Sequence, residues 1–216
     1  MKLLSVHSAK SIWLVPINFL NPRGIFLRPA IVALKERYDF AVTPLEKPPV
    51  TEKNGWIFER GAFKNADGVI IAVNMTIHDD GIVIETRSST EDGDLFLEDM
   101  LTWISKESKL PSYNTLPIKK IYTSELYVKF KKMPQILDKR LASFLKQANE
   151  AIGHEKGPLD LSGFGLSTDL AQSERPLTFR FERQVNTPFS ENQYYSFIPA
   201  KTELHIKLLE KLEEVS

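Results

Sequence analysis

The chain contains no cysteine. Disulfides, thiolate nucleophiles, iron–sulfur clusters and cysteine-ligated zinc are excluded together. Histidine is scarce. His7, His78, His154 and His205 are widely separated, and no two stand at metal-ligand spacing, so the sequence implies no metal. Long apolar runs are missing as well. Nothing approaches the length needed to cross a bilayer, and Ile12 to Val15 is too short for a signal-peptide core. The expectation is a soluble, cytoplasmic protein with no membrane partner. No Gly-x-Ser-x-Gly is present, and Gly163-Phe164-Gly165 lacks the further glycines and the Gly-Lys-Ser/Thr ending of a phosphate loop. No cofactor is implied.

Net charge is also lacking: 28 Lys and Arg balance 28 Asp and Glu. The balance conceals two opposed blocks. Between Thr76 and Met100, eight acids (Asp79, Asp80, Glu85, Glu91, Asp92, Asp94, Glu98, Asp99) face Arg87, giving −7. Between Lys109 and Lys146, nine bases (Lys109, Lys119, Lys120, Lys129, Lys131, Lys132, Lys139, Arg140, Lys146) face Glu125 and Asp138, giving +7. Such blocks either neutralise each other within the fold or offer a charged surface to a partner.

What is present is the composition of a folded protein: 216 residues, 42% hydrophobic and 26% charged. Ile12–Ile17 reads as a short strand. Leu27, Ala30, Ile31, Leu34 and Tyr38 recur at helical spacing, with Pro29 in the first turn. Phe40–Val42 reads as a short strand and the proline-bearing stretch 44–55 as a loop. Trp56–Phe63, Val69–Ile77 and Ile82–Thr86 form a meander, with turns at 65–68 and at His78-Asp79-Asp80-Gly81. In that second turn the acids serve the backbone rather than a metal or a general base. A helix opens at Ser88, Ser89 or Thr90, with Glu91, Asp92 and Asp94 at its positive end. Glu91–Asp94 completes no calcium loop.

The second half follows suit. Ile118–Phe130 reads as a strand. Pro134 opens the most regular helix, whose stripe is Leu137, Leu141, Phe144, Leu145, Ala148 and Ile152, with Gly153 as its stop. Strands follow at 159–166, 177–185 and 194–198, and a final helix starts near Thr202. His205 falls beside Glu203, off the main apolar stripe, and reads as a solvated or half-buried structural residue.

The fold class is therefore α+β: antiparallel β-meanders packed with helices, arranged as two similar helix–strands–helix lobes. The expected organisation is an N-terminal lobe over 1–107, a connection over 108–117 and a C-terminal lobe over 118–216. Both lobes contain Phe-Glu-Arg, at 58–60 and at 181–183, which suggests an internal duplication.

The sequence carries no catalytic signature and assigns no catalytic residue. Its first functional expectation is a binding or assembly module working through protein–protein contacts, with a protein partner or self-association. The residues expected to meet the partner are Lys129, Lys131, Lys132, Lys139 and Arg140. The alternative is an enzyme whose site forms between the lobes from scattered polar residues. The third is nucleic-acid binding through the basic region 119–146, where Tyr122, Tyr127 and Phe130 interleave with lysines.

Overall fold

The computed structural model describes residues 1–21, 27–46, 55–107, 111–132, 139–152, 158–169, 171 and 177–214. The expected meander is there. β2 (Trp56–Lys64), β3 (Ile70–His78) and β4 (Gly81–Thr86) pair antiparallel, with a two-residue turn at Asp79-Asp80. Alternation buries Phe58, Val73, Met75, Ile82 and Ile84 on one face. Gly81 is a glycine for packing: a Cβ there would lie 2.6 Å from the Trp13 carbonyl oxygen.

That carbonyl belongs to β1 (Lys2–Leu14), which pairs antiparallel with β4. β1 is a long strand where the sequence suggested only Ile12–Ile17. It ends before Pro16, which has no N–H to donate, and Ile17–Leu20 forms a short helix, α1. The Val15 and Ile17 N–H groups instead donate to the Asp80 and Asp79 carbonyls, at 3.0 and 2.8 Å. Phe40–Val42, read as a strand, contributes a single bridge from Val42 to Glu59.

Two helices cover this sheet. α2 (Leu27–Tyr38) lays Ile31, Leu34 and Tyr38 into the core, against β2. α3 (Thr90–Glu107) buries Phe96, Leu97, Met100 and Leu101 and packs on β4. Ser89 caps α3: its Oγ accepts the Asp92 N–H at 3.0 Å. Gly93, inside α3, lets the helix lie on β1, because a Cβ there would meet Ser11 Oγ at 2.8 Å.

The rest of the chain comprises β5 (Lys119–Lys129), α4 (Lys139–Ile152), β6 (Gly163–Ser167), β7 (Thr178–Arg183), β8 (Gln193–Ile198) and α5 (Thr202–Glu214). α4 is described from Lys139; Pro134, Leu137 and Gly153 lie outside the described residues, as does most of the loop 44–55. The element order of the first half returns: strand, helix, three antiparallel strands, helix. Strands run β2-β3-β4-β1 in the first set and β6-β7-β8-β5 in the second. This is the two-lobe α+β architecture the sequence pattern implied. The shared Phe-Glu-Arg does not mark it, since one copy lies on β2 and the other on β7, which occupy different places in the repeated order.

Two compact units result. The larger comprises 6–125 and 199–204; the smaller comprises 1–5, 126–198 and 205–216. The larger holds the aromatic core of Trp13, Phe40, Phe58 and Phe96. The smaller is built on Leu126, Val128, Phe130, Phe181, Tyr194 and Leu209, with the Phe181 and Tyr194 rings stacked 4.5 Å apart. Among the described residues, no helix is long and apolar enough to cross a membrane.

Candidate partner-binding surface

Five of the eight acids in the acidic block are held by neighbours in their own unit. Asp94 is nearly buried and takes three donors: Trp13 Nε1 at 2.9 Å, Tyr122 Oη at 2.8 Å and Lys201 Nζ at 3.2 Å. Burial, and then this carboxylate, push the Tyr122 phenol up from its ordinary pKa. Lys120 reaches Glu98 at 3.4 Å while lying over the Trp13 ring, 3.8 Å from its centroid. Arg37 grips both Asp99 oxygens, at 3.0 and 3.1 Å, and Tyr38 donates to Asp99 at 2.6 Å. Glu85 accepts from Ser8 at 2.7 Å and has Lys10 at 3.9 Å. Asp92 folds back onto Ser89. An acid held this way structures its surroundings, and both Asp94 oxygens are taken.

The basic block fares differently at each position. Lys129 ends β5, half-buried, with its Nζ 2.5 Å from Glu191 Oε2. That contact holds the Glu191 carboxyl below its ordinary pKa. Lys131 is exposed, and its backbone N–H donates to Glu213 Oε1 at 2.7 Å; Glu213 also meets the Met1 ammonium. Lys132 is exposed. Lys139 opens α4, and its side chain lies outside the described residues; Arg140 is exposed on the same helix. The interleaved aromatics separate by strand parity. Phe130 packs inward on Phe181 and Tyr194, and Tyr122 turns to Asp94. Tyr127 lies against Tyr195, 5.7 Å between centroids. Alternation thus divides the interleaved aromatics between the two faces of the strand.

A group of exposed apolar side chains stands on α4. Leu141, Phe144 and Ile152 are 48%, 65% and 68% exposed, and Leu145 and Ala148 of the same stripe are half-buried. Arg140 and Lys146 are exposed on the same helix. Its counterpart in the first set, α2, buries the corresponding stripe. The periodicity therefore located the helix but not its outward face: a stripe at 3.6 spacing looks the same whether it meets its own core or another chain.

Neither protein-family models nor curated proteins give a match to the sequence. Among solved structures, the chain is similar to Methanococcus jannaschii TBP, with a TM-score of 0.46 and 11% sequence identity, covering 99% of this chain and 96% of that one.

Proposed function

We propose that this protein is a non-catalytic binding module whose α4 receives an acidic, amphipathic segment of a protein partner. The observation that carries this reading is the outward apolar stripe of Leu141, Phe144 and Ile152 on a helix bearing Arg140 and Lys146. Covering Phe144 alone would contribute about 2 kcal/mol. Exposed apolar surface rimmed by polar groups marks interaction sites, and a partner helix would read it as anchors three and four residues apart. The cationic residues select for acid and against a second basic helix. In this reading Lys131, Lys132, Lys139 and Arg140 supply the charge, while Lys129 is largely balanced by Glu191 and contributes least.

The test uses a synthetic helical peptide with leucines at i, i+3, i+4 and i+7 and glutamates on its flanks. Fluorescence anisotropy should show binding that weakens with added salt. Phe144→Asp and Arg140→Glu, each verified as folded by circular dichroism, should each weaken it at least about tenfold. Unchanged affinity in Phe144→Asp overturns the proposal. So does tighter binding of a single-stranded oligonucleotide of equal charge, which would move the reading to nucleic acid.

A further inference from the structure

β6 ends the strand order and pairs, among the described residues, only with β7. The hydrogen-bonding direction along it follows from its two flanking bonds. The Arg183 N–H donates to the Ser162 carbonyl at 2.7 Å, and the Thr168 N–H to the Leu177 carbonyl at 3.0 Å. With the pairing continuous from Gly163–Glu182 to Ser167–Thr178, even-numbered residues spend their backbone groups on β7. The N–H and C=O of Gly163, Gly165 and Ser167 therefore point outward.

Edges of this kind are normally blunted by lysine, proline, a bulge or shortness. β6 is short, but Gly-Phe-Gly-Leu-Ser contains no charge and no proline, and its register runs without a bulge. Leu166, within the strand, is 63% exposed. β2, the outer strand of the first set, is blunted: its register shifts between Phe58 and Gly61, Arg60 takes a left-handed backbone with φ of 57°, and the Val42 bridge sits on Glu59.

We infer that β6 is a self-association edge that pairs antiparallel with β6 of a second copy of this chain. Placing Gly165 opposite Gly165 of the partner makes a two-fold arrangement in which the outward groups match. Gly165 exchanges both hydrogen bonds with its counterpart, and Gly163 does so with Ser167. Phe164 and Leu166 then meet across the seam as an apolar cross-strand pair. A second copy is the fitting occupant because the strand is uncharged: an isologous contact brings each residue type near itself, and here no like charges meet. The basic α4 lacks that property, so the two surfaces have different occupants.

Sedimentation velocity on the full chain, from about 1 to about 200 micromolar, tests this. Wild type should show a reversible dimer that is insensitive to salt. Gly165→Pro removes one outward N–H and none directed at β7, and should raise the dissociation constant at least about tenfold. Gly165→Ala keeps that N–H, and its Cβ would sit 3.6 Å from the Phe179 carbonyl oxygen, an ordinary contact, so it should dimerise as wild type does. Leu166→Lys should also be monomeric, because it replaces the apolar Phe164–Leu166 pair at the seam with a charge facing an aromatic edge. Phe144→Asp on α4 should leave the dimer intact, which separates this inference from the peptide-binding reading. A wild type that stays monomeric throughout overturns it, as does unaltered dimerisation in folded Gly165→Pro or Leu166→Lys.

Discussion

At the scale of single residues, the most consequential groups are buried polar ones. His205 is fully buried on α5, with Nε2 2.8 Å from Ser196 Oγ, which also reaches the Arg180 carbonyl at 3.1 Å. The sequence reading as solvated or half-buried fails because α5 presses its first turns onto β8. Burial pushes the imidazole pKa down to about 4. Above its ordinary value near 6.5 the ring is neutral in both folded and unfolded chains, and its stability contribution is whole. As pH falls from about 6.5 to about 4, the unfolded chain takes up a proton that the folded chain refuses. Stability should then drop by up to roughly 3 kcal/mol and level off below. Urea unfolding across that window should show the drop in wild type and a shallower one in His205→Gln; parallel profiles refute the assignment. Asp94 makes a second case. Asp94→Ala strands the Trp13 and Tyr122 donors and leaves Lys201 without its carboxylate, so denaturant midpoints should report a loss of about 3 kcal/mol. A loss below about 1 kcal/mol would mean that water replaces the carboxylate.

At the scale of elements, the starts of α3 and α5 are cross-linked. The Thr90 N–H donates to Thr202 Oγ1 at 3.0 Å, and the Thr202 N–H to Thr90 Oγ1 at 2.9 Å, both buried. Each threonine occupies the same place in the repeated element order and satisfies the other helix's first N–H. Thr90→Val and Thr202→Val should each cost about 1 to 2 kcal/mol, while the double variant should cost less than their sum. A double-mutant cycle of strict additivity would show that the two caps act separately. Elements of this kind were legible where they follow one period: the β2–β4 meander, α2, α3 and the four elements from β6 to α5. β1 was largely illegible. Its first residues are mostly exposed, and its core face is Ala9, Ser11 and Trp13; α3 comes so close at Gly93 that only a small residue fits at Ser11, which weakens the hydropathy signal a strand normally shows. The charge blocks were legible as counts, but their disposition was not: Lys10, Arg37, Lys120 and Lys201, which pair with four of the eight acids, are scattered along the sequence.

At the scale of the whole molecule, the two candidate surfaces respond to opposite conditions. Binding at α4 is expected to fade as salt rises, whereas pairing through β6 rests on backbone hydrogen bonds and apolar contact, which salt leaves largely untouched. Neither surface was visible as such in the sequence. The α4 stripe follows the same rule as a core-facing helix, and an edge strand differs from an inner one only by what lies beside it. The irregularity of β2 carries a consequence of its own. Fibril growth through sheet edges needs two compatible edges per subunit, so that each added chain presents a fresh template. Here the kink at Phe58–Gly61 and the left-handed Arg60 spoil one edge. Pairing through β6 therefore uses up a smooth template, and β2 offers no second one. Assembly by this route is capped at two, and a concentrated solution should stay clear and free of amyloid-dye fluorescence.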